Sequence, residues 1–421
     1  MIDQQTEQTP KAMRLHIGFL GRTNVGKSSF MNMLAGQDVA ITSPQAGTTT
    51  DVVEKTMELL PLGPVVLMDT AGIDDETALG QARIEKTKKA LRRMDVLVIV
   101  TTPGAWGTYE DTLVNIAHEH KIPVIVVINK ADLGEAPPTF LALMEMKKLP
   151  WIQGSSTVPA TMETFRAEFK ERLRDVLPQN FTAPKTLMGD LCPAGGLVVL
   201  VVPIDLGAPK GRLIVPQVQA IRDLLDNDVA ALVVKDREYA AILSRLNRMP
   251  DLVVCDSQVV ARTVADTPES VPLTTFSILF ARLKGDLIAQ AKGAAAIENL
   301  KDGDKVLMAE GCSHHPLEDD IGRVKIPRWL RQYTGRNLTI DSSAGHDFPD
   351  NLPEYKLVIH CGGCVMTPQE MATRLRISNE HGVAITNYGV AISALQGVLK
   401  RALSPFPAAL AAYEKARRDA H

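Results

Sequence analysis

The sequence is short of most features that would suit a secreted, fibrous or membrane-spanning protein. Aromatic residues are 5% of 421, and cysteine occurs five times, an odd number too small for a disulfide framework. The longest apolar run, Leu197 to Val202, is far short of the roughly 20 residues that cross a bilayer. The opening residues, MIDQQTEQTPKAMR, are polar and contain no basic stretch leading into an apolar one. Together these predict a cytoplasmic protein without a membrane segment. Neither sign of charge dominates: 46 Lys and Arg against 49 Asp and Glu leave a formal net charge of −3. Such a balance provides no global field for a polyanion, and no nucleic-acid partner is expected. No long low-complexity segment or short-period repeat occurs.

What is present is an ordinary globular composition, 45% hydrophobic and 23% charged, in a chain long enough for several domains, each with its own core. Residues 14 to 178 alternate short apolar runs (RLHIGFLG, VVLMDTAG, DVLVIVT, PVIVVINKAD) with helical patterns, the signature of βαβ units around a buried parallel sheet. The segment LPQNFTAPKT, with Pro178 and Pro184, reads as a connector. Residues 197 to 263 repeat the α/β pattern on a smaller scale, with helices predicted near 215–225 and 238–246. A unit of that size has little core and often associates with a copy of itself. A third region follows, with a helix near 276–292, strand DKVLMAEG, the basic segment RVKIPRWLRQYTGR, strand YKLVIHC and further helices. The predicted architecture is α/β throughout. A nucleotide-binding domain spans 1–180, a small dimerisation domain 185–265 and a metal-binding domain 270–421.

Gly21 to Ser28 reads GRTNVGKS, the phosphate-loop pattern, placed between an apolar strand and the helix beginning SSFMNMLAG. Glycine lets the backbone turn its N–H groups on phosphate, and the helix points its positive end the same way. Gly21, Asn24, Val25, Gly26, Lys27, Ser28 and Ser29 are therefore candidate nucleotide contacts, with Lys27 on the β- and γ-phosphates and Ser28 on magnesium. Asp69-Thr70-Ala71-Gly72 follows a strand, so that Asp69 is placed to hold magnesium through water and the Gly72 amide to meet the γ-phosphate. Asn129-Lys130-Ala131-Asp132 follows another, and the Asp132 carboxylate suits the guanine N1 and N2 donors. The three motifs predict a GTPase. Thr49, in the GTTTD segment, is the expected second magnesium ligand, and Ser155-Ser156 the last guanine-contacting element. Ile73 stands where many GTPases place a water-orienting glutamine, so slow intrinsic turnover is expected. With Asn24 and GTTTD the domain resembles the TrmE and Era group of GTPases. That resemblance implies Asn24 as a potassium ligand and Asp75 or Glu76 as water-positioning acids.

Three cysteines lie in the last quarter: Cys312-Ser313-His314 after strand DKVLMAEG, and His360-Cys361-Gly362-Gly363-Cys364 after strand YKLVI. Both groups fall at strand ends, where a parallel sheet gathers side chains into one crevice. Three thiolates with an imidazole from His314 or His360 would satisfy tetrahedral zinc, and three thiolates would equally hold three corners of a four-iron cluster. Spacing does not choose between them. A Cys361–Cys364 disulfide would leave Cys312 unused, while Glu310 is a further oxygen donor within reach. Cys192 and Cys255 read as inert. Arg323, Lys325, Arg328 and Arg331 form a basic segment that is either a solvated helix face or a cover for an anionic metal group.

A TrmE/Era-type GTPase joined to Cys-x-His and His-Cys-x-x-Cys resembles the FeFe-hydrogenase maturation GTPases, HydF, and GCSHHPLEDDIGRVKIPRWL looks especially like that family's cluster domain. The resemblance covers nearly the whole chain. It implies a 4Fe-4S cluster on Cys312, Cys361 and Cys364 and a homodimer formed by the middle region. It further implies a scaffold that receives a transient di-iron fragment from the radical-SAM maturases HydE and HydG and delivers it to apo FeFe-hydrogenase. GTP hydrolysis would then switch partner binding. The competing readings are a potassium-dependent GTPase of tRNA modification or ribosome assembly with a structural zinc, and a metal-storage module with a vestigial GTPase.

Overall fold

The computed structural model describes residues 14–36, 53–69, 88, 90–177, 186–203, 213–311, 320–345, 348, 349, 351–364 and 366–419. The chain packs into two compact units, Met1–Pro184 and Lys185–His421. In the first, β1 (Leu15–Leu20), β2 (Val53–Leu59), β3 (Gly63–Asp69), β4 (Val96–Thr101), β5 (Val124–Ile128) and β6 (Trp151–Gln153) form one sheet in the order β2-β3-β1-β4-β5-β6. β2 runs antiparallel to β3, and every other pair is parallel.

The central strands β1, β4 and β5 are buried along their whole length, which is why they read as continuous apolar runs without alternation. Helices Lys27–Ala35 and Pro159–Val176 cover one face, where Phe30 meets Phe165 and Phe169 edge-on at centroid distances of 5.3 and 5.2 Å. Each such aromatic pair adds about 1 kcal/mol to its area burial. Helices Thr108–Glu119 and Pro138–Met146 contribute Leu113, Val114, Phe140 and Met144 to the core on the other face.

The second unit contains two four-stranded parallel sheets. The first has the order β10-β9-β7-β8, from β7 (Leu197–Val201), β8 (Ala230–Val234), β9 (Leu252–Cys255) and β10 (Leu273–Thr275). The second has the order β12-β11-β13-β14, from β11 (Lys305–Ala309), β12 (Thr339–Ser343), β13 (Tyr355–His360) and β14 (Ala384–Asn387). β10 lies beyond residue 265 yet pairs with β9 through Leu273–Val253, Thr274–Val254 and Thr275–Cys255, so the smaller sheet reaches further along the chain than the apolar runs suggest.

The single helix expected near 276–292 is two. Phe276–Lys284, started by the Thr275 hydroxyl accepting from the Ile278 amide, stops where Gly285 turns extended. Asp286 then starts Leu287–Ala294 by accepting from the Ala289 amide at 3.0 Å. At Gly293 this second helix lies directly against β14: a Cβ there would be 2.0 Å from the Ile385 carbonyl oxygen. Among the described residues no helix is long and apolar enough to cross a membrane.

Candidate nucleotide and metal sites

β1 ends at Leu20 and the chain turns through positions 21–26 before helix Lys27–Ala35. The turn requires positive φ at Gly21 (154°), Asn24 (64°) and Gly26 (94°). Gly26 is doubly constrained, since a Cβ there would sit 2.3 Å from Asn129 Nδ2. The buried Lys27 ammonium spans the mouth of its own loop, donating to the carbonyls of Gly21 at 2.7 Å and Arg22 at 3.0 Å. Ser28 Oγ donates to Asp69 Oδ2, at the end of β3, at 3.2 Å. A hydroxyl and a carboxylate side by side are the hard oxygen donors that magnesium takes.

The loops after β5 and β6 are fastened to this turn. Asn129, 1% exposed, donates from Nδ2 to the Val25 carbonyl at 3.0 Å and accepts the Ser156 amide on Oδ1 at 3.0 Å. Lys130 Nζ reaches the Asn24 carbonyl at 2.5 Å. Asp132 is exposed on the short turn Ala131–Leu133, and Ser155 and Ser156 are buried behind it. Ser29, in the first turn of the helix, is half-buried. Thr49, Gly72, Ile73, Asp75 and Glu76 lie outside the described residues.

Sequence reasoning missed one member of this loop. Arg22 grips Glu110 with two bonds, Nε to Oε1 at 2.8 Å and Nη2 to Oε2 at 2.9 Å. Glu110, 1% exposed, also accepts the Gly107 amide and so anchors the start of helix Thr108–Glu119. Nothing local to either residue announces a partner 88 positions away.

In the second unit β11 and β13 are adjacent and parallel, with Ala309 opposite His360. Residues 310–311 and 361–364 therefore leave the sheet side by side. The Gly311 amide, one residue before Cys312, donates to Cys361 Sγ at 3.0 Å, and the Gly363 amide approaches the same sulfur at 3.4 Å. Burial raises the Cys361 thiol above the ordinary range, and these two N–H groups, Gly363 first, oppose the shift. Cys364 is half-buried on the same turn. Cys312 and His314 lie outside the described residues. Among the described residues alone, no three His, Cys, Asp or Glu side chains converge as a metal site.

His360 is committed elsewhere. Arg374 Nη1 donates to its Nε2 at 2.9 Å, so the ring proton is on Nδ1, which donates to the Cys361 carbonyl at 2.7 Å. Burial, reinforced by the Arg374 charge, lowers its pKa to about 3 and keeps the ring neutral. A metal bond from His360 would cost one of those two contacts. Arg374, 2% exposed, also donates to the Gly345 carbonyl at 2.7 Å and faces Glu370. The Glu310 carboxylate, 2% exposed, is likewise occupied, by Arg323 at 2.9 Å. Of the basic segment, Lys325 bonds Gln258 Oε1 and Arg331 the Leu338 carbonyl. Cys255 is fully buried in β9.

Residues 187–285 match the hydrogen maturase F dimerization domain, and residues 288–405 match the hydrogen maturase F tetramerization domain, together more than half of the chain. The chain belongs to the hydrogen maturase F family. Its first unit is a GTPase domain, matched over residues 16–130 by the 50S ribosome-binding GTPase family. Within the hydrogen maturase F matches, β7 to β10 occupy the dimerization span, and Cys312, Cys361 and Cys364 the tetramerization span.

Among curated proteins, the GTPase Der of Deinococcus deserti is 38% identical over 129 residues, 30% of this chain and 29% of its own length. The tRNA modification GTPase MnmE of a Synechococcus strain is 41% identical over 128 residues, 30% and 27% of the two chains. The alignments thus span less than a third of these relatives' own length. Among solved structures, the G domain of the T. maritima FeoB iron transporter aligns at 20% identity and a TM-score of 0.30, over 39% of this chain and 98% of that one.

Proposed function

We propose that this chain is a GTP-hydrolysing iron–sulfur scaffold or carrier of FeFe-hydrogenase maturation. In this reading it holds a 4Fe-4S cluster on Cys312, Cys361 and Cys364 and passes a di-iron fragment, received from the radical-SAM maturases HydE and HydG, to apo FeFe-hydrogenase. The observation that carries the reading is the Gly311 amide on Cys361 Sγ, which brings the chain next to Cys312 within bonding distance of the His-Cys-x-x-Cys turn. The donor set fits a cluster: thiols at a strand end, with peptide N–H groups turned on sulfur, are what iron–sulfur ligation uses. When bound, such a cluster supplies an iron centre able to take an exogenous ligand. His314 is a further ligand candidate, while His360 holds the turn.

At the nucleotide site Lys27 would bind the β- and γ-phosphates, Ser28, Asp69 and Thr49 would serve magnesium, and Asn24 a potassium ion. Asn129 and Lys130 would brace the guanine pocket, with Asp132 reading the base beside Ser155 and Ser156 and hydrolysis relying on Asp75 or Glu76. GTP hydrolysis acts as a switch on partner binding. The dimerisation domain, 185–265 extended through β10, precedes the cluster domain, and a second copy pairs at the smaller sheet.

Anaerobic reconstitution with iron and sulfide tests the proposal. The expected product is a brown protein with a resonance spectrum of a reduced four-iron cluster. A colourless protein holding one zinc per chain would remove the scaffold reading and favour a structural-zinc GTPase. The switch is tested with a Lys27→Ala protein carrying the di-iron fragment: activation of apo-hydrogenase equal to wild type, with GTP present and partner limiting, would sink it.

A further inference from the structure

Lys284 ends helix Phe276–Lys284 and is 3% exposed. Its ammonium donates to three carbonyls of one turn: Gly363 at 3.0 Å, Cys364 at 3.0 Å and Met366 at 3.2 Å. All three of its protons are thereby used on the backbone that carries Cys364. The Phe280 ring lies 5.6 Å below it. Among the described residues the ionisable groups that act on it are the thiols of Cys364 and Cys361. A cation enclosed in this way costs several kcal/mol unless negative charge lies close by. Neutral thiols supply none, whereas thiolates on iron do. The helix behind it starts directly from β10, so the ammonium is held by an element of the neighbouring sheet and not by the cysteine turn itself.

We propose that Lys284 is a positioning and charge-compensating residue of the iron–sulfur site: it holds the 363–366 turn in ligating shape and offsets the negative charge of a cluster bound through Cys361 and Cys364. The inference rests on the cluster reading above. Positive charge beside a cluster favours its reduced form, so removing the ammonium should make the reduction potential more negative.

The test uses the full chain, reconstituted anaerobically as wild type, Lys284→Met and Lys284→Arg. Iron content and reduction potential are followed by resonance-monitored titration, and the far-ultraviolet spectrum and thermal unfolding of the full chain serve as the folding control. The Met protein is expected to be at least tenfold harder to reduce, about 59 mV for a one-electron couple, with the Arg protein returning toward wild type. A Met protein with wild-type iron and an unchanged potential overturns the inference. If the Met protein takes up no iron, recovery of iron in the Arg protein supports the inference, and failure in both overturns it. A wild-type protein that takes up no cluster overturns the scaffold reading and this inference with it, an outcome read from the control alone.

Discussion

Lys284 and Asp95 illustrate opposite uses of a buried charge. Lys284 has its protons fully bonded to carbonyls, whereas Asp95, at the entry to β4, accepts the His16 amide on Oδ2 at 2.8 Å. The His16 ring nitrogen nearest that carboxylate stands 3.8 Å away and is bonded to the Arg14 carbonyl. Burial raises the Asp95 carboxyl to about 7, with the His16 amide opposing. Because the folded value lies above the unfolded one, the protonated acid is the form the fold prefers. Its contribution is complete below about pH 4 and is lost as the pH rises through 7. An Asp95→Asn protein keeps the acceptor without the titration. Compared by denaturation at pH 5.5 and pH 8, its stability relative to wild type should be greater at pH 8 by about 2 kcal/mol. An equal difference at both pH values would mean that Asp95 stays ionised in the fold.

Among the elements, β8 departs most from its sequence appearance. VAALVVK is a continuous apolar run like those of the central strands, yet β8 is the edge of its sheet, with Ala230 and Val233 exposed. Leu213, Val215 and Val218, at and just before the start of helix Val215–Asp226, are exposed as well. An uncovered apolar edge is a template for another strand, which agrees with a segment whose family is named for dimerization. Val233→Lys should weaken self-association in sedimentation while leaving the far-ultraviolet spectrum unchanged. An unaltered sedimentation coefficient would place self-association elsewhere. The break at Gly285 matters for the same reason of geometry: it ends one helix at Lys284 and so leaves the ammonium free to reach the cysteine turn.

For the whole molecule, the packing into two units predicts separable chemistry, because the phosphate loop belongs to the first unit and the cysteine turn to the second. A Cys361→Ser protein should bind less than a tenth of the wild-type iron and hydrolyse GTP within about twofold of it, the independence expected of separately cored domains. Loss of both activities would show that the units fold interdependently. The α/β class, the phosphate loop, and the residues at the ends of β3 and β5 were legible because each is a short run of specific residue types after an apolar strand. Asn24, with positive φ, and Asn129, tied to Val25, stand in such runs. The short strands β12 and β14 were not legible, since TIDSS and AITN carry too few apolar positions to mark a strand. By itself the sequence determined which chemical groups the chain carries and at which strand ends they stand. The tertiary structure alone decided which groups meet: Arg22 with Glu110, Arg374 with His360, and Lys284 with the turn of Cys364. Such pairs join residues up to 88 positions apart, and the helix residues Lys284 and Arg374 read as solvent-facing until packing buries them.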